Sequence, residues 1–160
     1  MHTRAVTFEK LAKSRTYLIC DENQFLEKNF SLEKLVIYGY IALAIKILSV
    51  PQETSNRVRK ELDGLSAKIH GEVIGDFPCF LIGQLARNSQ VNKKDLSGEA
   101  LFESAYRIIY TAVEAVGGRY ILIECQNNES LVAFYRNNFF FEIARISDGD
   151  RSMVQMIKKL

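Results

Sequence analysis

The fold is decided by the segment Leu81-Ile82-Gly83-Gln84-Leu85-Ala86, an apolar run with the length and composition of a strand. A polar loop follows this run and leads to Gly98, where a long amphipathic helix begins. A strand, a loop and a helix N-terminus together form an anion site, because the first helical N–H groups lack acceptors and the helix dipole favours negative charge. A second apolar strand and a short helix carrying Tyr135 come next. This layout predicts a phosphate-bearing cofactor with a proton donor beside its reacting end.

The helix from Gly98 to Val116 has the strongest periodic signal in the chain. Ser97 is a favoured N-cap residue, and Gly117-Gly118 can supply the left-handed residue that ends a helix. Its apolar residues recur at steps of three and four and form one stripe: Leu101, Phe102, Ala105, Ile108, Ile109, Ala112, Val113 and Val116.

Apolar and polar residues alternate from Ile37 to Ile47, which predicts a strand in which Gly39 marks a bulge or a close approach. Pro51 ends this strand, and Pro78 opens the one that continues to Ala86. Residues 52–70 are predicted to form a polar helix or structured loop that breaks at Asp63-Gly64. The other predicted elements are strands at 16–20, 120–126, 140–146 and 153–157, and short helices from about Gln24 and over 130–137.

Strands interleaved with helices, followed by two strands around the turn at 147–150, predict the fold class. We expect an α/β (α+β) fold in which a mixed central sheet is flanked by helices and ends in a C-terminal β-hairpin. A chain of 160 residues has the length of one domain, so residues 1–160 are assigned to a single domain.

Composition narrows the classes of function. Hydrophobic residues at 48% and charged residues at 25% are ordinary globular values, and no apolar run is long enough to span a membrane. The net charge of +2 permits an anionic partner without requiring one. Cys20, Cys79 and Cys125 are odd in number and widely spaced, which is typical of buried thiols in a cytoplasmic protein. With only two histidines, a histidine-rich metal centre is not expected.

Three segments give the chain a resemblance to the GNAT superfamily of acyl-CoA N-acyltransferases. Tyr38-Gly39-Tyr40 and the strand that begins at Pro78 look like segments of the toxin-type branch, which acetylates the amino group of aminoacyl-tRNA. Asn128, with Phe134-Tyr135 following it, is similar to the family's asparagine-to-tyrosine spacing. The resemblance implies an N-acetyltransferase that uses acetyl-CoA as acyl donor.

The same resemblance implies partners. A toxin of this branch would take a tRNA acceptor, be neutralised by a small DNA-binding antitoxin, and form a homodimer. Two other functions remain open at this point: a non-catalytic CoA-binding or interaction module on a degenerate GNAT fold, and an acetyltransferase for small molecules or proteins. The basic residues Arg57, Arg59, Lys60, Lys68 and Arg87 could contact tRNA phosphates or form a solvated face.

The chain departs from the family pattern at two places. The pyrophosphate loop, Asn92 to Gly98, is one residue longer than the family's and keeps only the last glycine. The glycine that the family has four residues after the tyrosine is Phe139 here. Since Asn138 precedes it and asparagine tolerates positive φ, the turn is expected to have moved by one residue.

Catalytic roles are expected for Tyr135 and Glu124. A phenol with its ordinary pKa near about 10 can protonate a departing thiolate, so Tyr135 is the expected general acid, the alternative being a core tyrosine. Glu124 lies at the end of a buried strand, where a raised pKa would suit a general base acting through water. Glu124 could instead pair with a neighbouring arginine or lysine.

The resemblance also implies the residues that bind the cofactor. Backbone groups of Leu85, Ala86 and Arg87 would pair with the pantetheine arm as an added strand. Asn128 could bind the pantetheine region or cap the helix of Tyr135. The pyrophosphate would be bound by the N–H groups of Ser97, Gly98 and Glu99 with charge from Lys93 and Lys94, which otherwise are solvated loop residues.

Overall fold

The computed structural model describes residues 2–50, 54–63, 68–69, 72–73, 75–148 and 151–160. Within these ranges the helices are α1 (His2–Lys10), α2 (Asn56–Asp63), α3 (Gly98–Val116) and α4 (Glu129–Asn137). Two 3-10 turns lie at Glu22–Leu26 and Leu32–Lys34. The strands are β1 (Arg15–Cys20), β2 (Ile37–Ser49), β3 (Lys68–Ile69), β4 (Glu72–Val73), β5 (Asp76–Arg87), β6 (Tyr120–Gln126), β7 (Phe141–Asp148) and β8 (Arg151–Lys159).

Six strands form one sheet in the order β1-β2-β5-β6-β8-β7, and β3 pairs with β4 separately. The pairs β1/β2, β6/β8 and β7/β8 are antiparallel. β5 and β6 are neighbours joined through α3, the connection that parallel strands require. The predicted fold class, with its flanking helices and C-terminal hairpin of β7 and β8, is confirmed.

The chain divides into two compact units, Met1–Ala44 with Ile82–Gly117, and Ile45–Leu81 with Gly118–Leu160. The cuts fall inside β2 and β5. The assignment of residues 1–160 to one domain therefore stays a prediction.

In the first unit, Gly39 permits the close approach that its sequence position predicts. A Cβ at Gly39 would lie 2.7 Å from the carbonyl oxygen of Ala86 and 2.8 Å from Cδ2 of Leu96. A register shift also occurs in β1, between Ile19 and Cys20, where the partner on β2 changes from Gly39 to Ile37. The first turn of α3 and the loop before it can thus pack directly on β2.

The second unit is built around one apolar cluster. Leu62 of α2 packs with side chains of four strands and of the segment after β2, and these members are Leu48, Val50, Phe77, Cys79, Tyr120, Leu122 and Ile157. Each side chain of this size contributes roughly 1.5–3 kcal/mol when fully buried. The cluster therefore fixes β6, the strand that carries Glu124.

The caps of α3 agree with the sequence. The Ser97 side chain accepts a hydrogen bond from the N–H of Ala100 (3.1 Å), and Gly117 ends the helix with φ +78°. The two bounds predicted from periodicity, Gly98 and Val116, are those observed.

Several details differ from the expectation. Helix α1 has no counterpart in the prediction, because its apolar residues do not form a regular stripe. β5 begins at Asp76 rather than at Pro78, because pairing has already begun at Gly75, whose carbonyl accepts from the N–H of Val50 (2.7 Å). Pro51 and Gly64 lie outside the described residues.

The turn after α4 has not moved by one residue. Phe139 itself takes the left-handed conformation, with φ +66°, whereas Asn138 has φ −91°. Asn138 is held in place by its own hydrogen bonds, since its side-chain amide donates to the carbonyl of Phe134 (2.9 Å). No helix in the described part of the chain is both long and apolar enough to cross a membrane.

Candidate active site

The loop before α3 presents three backbone donors. The N–H groups of Ser97, Gly98 and Glu99 have no acceptor among the described residues, as expected for the first turn of a helix. The Ser97 hydroxyl already accepts from Ala100, so the fourth N–H is satisfied internally. Glu99 adds an acidic side chain in the first turn, which stabilises the helix but repels an anion.

The loop itself is closed by Asn92. Its carbonyl accepts from the N–H groups of Asp95 (3.1 Å) and Leu96 (3.2 Å), and its side-chain oxygen accepts from the N–H of Lys94 (3.0 Å). The Lys93 and Lys94 side chains are exposed. Hydrogen bonds around this asparagine thus shape the loop.

Arg87 does more than the backbone pairing expected of it. Its Nη1 donates to the carbonyl of Leu96 (3.2 Å) and so ties the end of β5 to the end of the loop. Its Nε is buried and has no acceptor within the described residues. Leu85 and Ala86 precede it on β5 with half-buried side chains, and their pairing with a ligand stays a prediction.

Tyr135 is a buried tyrosine of α4, with 8% of its surface exposed. Its ring lies edge-to-face against Phe134 and Phe140, with centroids 5.2 and 5.5 Å apart. Burial, with a smaller contribution from Cys125, raises the pKa of Tyr135 to about 12, not the ordinary value expected from the sequence. No hydrogen bond of its hydroxyl is found within the described residues, and the raised pKa keeps the phenol protonated.

Asn128 is the N-cap of α4. Its side-chain oxygen accepts from the N–H groups of Ser130 (3.0 Å) and Leu131 (3.2 Å) and from the Ser130 hydroxyl (2.6 Å). The capping alternative is therefore correct. Its amide nitrogen has no acceptor among the described residues, and a contact with pantetheine stays a prediction.

Glu124 belongs to a polar cluster that crosses three strands. Lys46 of β2 approaches both carboxylate oxygens (2.6 and 2.7 Å), and the buried Gln155 of β8 donates to Oε1 (2.7 Å). Burial alone would raise the pKa of Glu124, but the hydrogen bonds from Lys46 and Gln155 and the charge of Lys46 outweigh it and lower the pKa below 4.5. The expectation of a raised pKa is wrong, and the alternative of a pairing with lysine is correct.

Glu124 and Tyr135 are not directly coupled. Adjacent residues of a strand point to opposite faces of the sheet, so Glu124 and Cys125 lie on different sides of β6. Tyr135 is close enough to Cys125 for the thiol to affect its pKa, whereas Glu124 contacts Lys46 and Gln155. The amine and the thiolate of an acyl transfer meet at one carbonyl carbon, so this geometry does not support a joint action of Glu124 and Tyr135 on it.

The sequence analysis missed Lys46 and Gln155. Lys46 is the lone charged residue in the apolar alternation of β2, and this irregularity was the available signal. Gln155 is likewise the lone polar residue of an apolar run, Met153 to Ile157, but nothing in the sequence shows that it meets Glu124 of β6.

Two members of the basic set predicted for tRNA make hydrogen bonds within the protein. Arg59 is buried and donates to the carbonyl of Thr54 (3.2 Å), and Arg87 holds the loop. Arg57 is exposed, while the side chains of Lys60 and Lys68 lie outside the described part. No group of histidine, cysteine or acidic residues suited to a metal ion occurs among the described residues.

Solved structures of toxin acetyltransferases are similar to this chain. AtaT in complex with acetyl-methionyl-tRNAfMet has a TM-score of 0.61 at 18% identity, with 96% of this chain and 76% of AtaT covered. A tyrosine-to-phenylalanine variant of KacT has a TM-score of 0.63 at 17% identity, covering 94% of this chain and 75% of KacT. The AtaTR complex with acetyl-CoA has a TM-score of 0.61 at 20% identity, covering 96% and 76%.

No protein-family model matches the chain, and no curated protein matches its sequence. At these identities the structural likeness establishes the fold. The chain has the same fold as these toxin structures, and the resemblance inferred from its sequence is confirmed at the level of the fold.

Proposed function

We propose that the chain is an acetyl-CoA-dependent N-acetyltransferase whose acceptor is the amino group of aminoacyl-tRNA. The observation that carries the proposal is Tyr135, a buried phenol with an unpaired hydroxyl on α4, in a fold similar to that of AtaT and KacT. AtaT has been solved with an acetylated aminoacyl-tRNA and, as AtaTR, with acetyl-CoA.

The residues of the loop suit the phosphates of acetyl-CoA. Three N–H groups at a helix N-terminus form an anion site. The buried Nε of Arg87 lacks an acceptor among the described residues and provides a further positive group close to the same loop. Lys93 and Lys94 add charge from the exposed side, while Leu85, Ala86 and Asn128 are proposed to contact the pantetheine arm.

Acetyl-CoA supplies an activated acetyl group as a thioester. The acceptor nitrogen forms the new C–N bond, the C–S bond breaks, the amine loses a proton and the departing thiolate gains one. Tyr135 is proposed to donate to that thiolate; its raised pKa keeps the phenol protonated and also makes it a weaker acid than an ordinary tyrosine. The proton of the amine is proposed to pass to solvent water, because the ammonium group of an aminoacyl ester is unusually acidic and needs no dedicated base; Glu124, paired with Lys46 and with a lowered pKa, is poorly suited to the role of general base that its position predicts.

Tyr135→Phe tests the catalytic part. The change removes one hydroxyl and keeps the ring that packs on Phe134 and Phe140, so turnover should fall by about 10²–10⁴-fold while CoA affinity is retained. Tyr110→Phe, at a half-exposed tyrosine of α3, is the matched control and should leave turnover unchanged. Binding of CoA without any turnover, unchanged by Tyr135→Phe, would identify a non-catalytic module, whereas equal and measurable turnover in both proteins would show that Tyr135 is not catalytic.

The acceptor is tested with labelled acetyl-CoA and three substrates: charged tRNA, deacylated tRNA and free amino acids. Label should appear on charged tRNA alone, and binding should weaken steeply with salt because phosphate contacts release counterions. Label on free amines but not on charged tRNA would replace the toxin assignment with an acetyltransferase for small molecules or proteins.

Two partners accompany the proposal. AtaT has been solved with the C-terminus of its antitoxin AtaR, and the AtaT–AtaR complex with DNA. We propose a small DNA-binding antitoxin for this chain as well, together with a homodimer and a cytoplasmic location. Co-expression with the neighbouring reading frame should relieve any growth arrest that the chain causes when it is expressed alone.

A further inference from the structure

Leu96 is an apolar anchor in an exposed loop. Residues 92–95 and 98–100 are exposed, whereas Leu96 is buried with 6% of its surface accessible. Burial of one leucine within such a loop provides roughly 1.5–3 kcal/mol to hold it against the sheet. The loop is therefore fixed at the residue immediately before the Ser97 N-cap.

The surface that receives Leu96 exists because residue 39 is glycine. A Cβ there would lie 2.8 Å from Cδ2 of Leu96 and 3.2 Å from Cδ2 of Leu101, the first buried residue of α3. It would also lie 2.7 Å from the carbonyl oxygen of Ala86, a backbone atom that cannot move aside. Gly39 thus lets the loop, the first turn of α3 and β5 meet at one point.

The backbone of Leu96 is fixed as well as its side chain. Its N–H donates to the carbonyl of Asn92 (3.2 Å), and its carbonyl accepts from Nη1 of Arg87 (3.2 Å). Asn88, next to Arg87, binds β2 through two hydrogen bonds, from its N–H to the carbonyl of Tyr38 (2.8 Å) and from its side chain to the carbonyl of Ile37 (3.0 Å). The anchor is therefore tied to the two strands beneath it.

We propose that Leu96, seated on Gly39 and clamped by Arg87, is the positioning residue that aims the N–H groups of Ser97, Gly98 and Glu99 at the cofactor. In the family pattern, glycines shape this loop. Here an apolar anchor beneath the loop takes over that task, which explains how a loop with one remaining glycine keeps a defined shape. The inference rests on the proposed function for the identity of the ligand, CoA.

The test compares Leu96→Ala with Ile109→Ala, which removes an equally buried side chain from the middle of α3 (1% exposed). Both variants should lose stability to a similar degree, because each leaves a cavity in the same unit. Only Leu96→Ala should weaken the binding of CoA. The affinity measured by calorimetric titration should fall by about tenfold or more, the loss typical of a group that orients ligand-binding atoms. Leu96→Met, which conserves volume, should restore most of the affinity.

A second measurement needs no ligand. In amide NMR spectra of the free protein, the signals of Ser97, Gly98 and Glu99 should shift and exchange faster with solvent in Leu96→Ala but not in Ile109→Ala. Should Leu96→Ala unfold, Leu96→Val gives a smaller cavity for the same comparison. Unchanged amide signals, or equal CoA affinities in the two alanine variants, would overturn the inference. Absence of CoA binding by the wild type would instead overturn the proposed function, and with it the role of the anchor in binding a cofactor.

Discussion

The ionisation of the Tyr135 hydroxyl can be measured without an activity assay. Burial raises its pKa to about 12, so among the seven tyrosines it should ionise well after a tyrosine with the ordinary value of 10.0. Tyrosinate absorbance after a rapid pH jump measures this ionisation. Subtracting the titration curve of Tyr135→Phe from that of the wild type should leave one group that titrates near pH 12. In urea the same difference should move to about pH 10, because the unfolded chain no longer buries the ring. A folded-state difference centred at the ordinary value would mean that the hydroxyl is solvated.

Two residues in the left-handed region carry backbone strain. Ala12 has φ +53° and Phe139 has φ +66°, conformations that cost a residue with a Cβ about 1–2 kcal/mol. Ala12→Gly should therefore raise the free energy of unfolding, by about 0.5–1 kcal/mol after the greater entropy of glycine in the unfolded chain is subtracted.

Phe139→Gly should raise the free energy of unfolding by less than Ala12→Gly does. The ring of Phe139 lies 5.6 Å from the Lys158 ammonium, a cation–π contact worth about 0.5–1 kcal/mol that the change removes. Denaturant unfolding of both variants checks the order. A larger gain from Phe139→Gly would show that the cation–π contact contributes nothing in solution.

At the scale of elements, the link between α3 and β6 depends on two glycines with different surroundings. Gly118 has φ +136°, and a Cβ there would overlap Cε2 of the Phe80 ring, whereas Gly117 has φ +78° and a Cβ there would meet open space. Gly118→Ala should cost about 3 kcal/mol or more, since backbone strain and overpacking add. Gly117→Ala should cost about 1 kcal/mol from strain alone. Thermal unfolding of the pair measures the difference, and equal losses would show that Phe80 moves aside freely.

Local signals predicted most of the elements. The bounds of α3 and β6 followed from periodicity and caps, because these are decided by residues near one another in sequence. Helix α1 and the left-handed turn at Phe139 could not be predicted. The first has no regular stripe, and the second breaks the preference of its own residue type.

The parts of the candidate site that could not be predicted from the sequence depend on contacts between distant segments. The low pKa of Glu124 depends on Lys46, 78 positions away, and the shape of the loop depends on Gly39 beneath Leu96. The sequence identified Glu124 and Gly39 as unusual residues, yet the partner of each lies on a different element. Spacing along the chain carries no information about such pairs.

Over the whole molecule, the shifted pKa values define the pH range in which the fold is most stable. The pKa values of Glu9, Glu124 and Glu142 are lowered, so their contribution is complete above about pH 4.5 and is lost as the pH falls through the folded values. Burial raises the pKa of Cys79 from 9.0 to about 11 and that of Tyr135 from 10.0 to about 12, so stability begins to fall as the pH passes the unfolded values and goes on falling up to the folded ones. Stability should therefore be greatest between about pH 4.5 and pH 9.

Glu124→Gln isolates one carboxylate in the acid range. The change leaves a side chain that Gln155 can still bond but removes the charge that pairs with Lys46, so the variant should be less stable at pH 7. The loss should be about 1 kcal/mol, because Lys46 is 41% exposed and water screens the pair. As the pH falls below 4.5 the wild-type carboxylate takes up a proton, and the two melting temperatures should converge.

Glu33→Gln, at an exposed 3-10 turn without an ion pair among the described residues, is the control and should show no such convergence. If the difference in melting temperature between wild type and Glu124→Gln stayed the same from pH 7 to below pH 4.5, the ion pair with Lys46 would not form in solution.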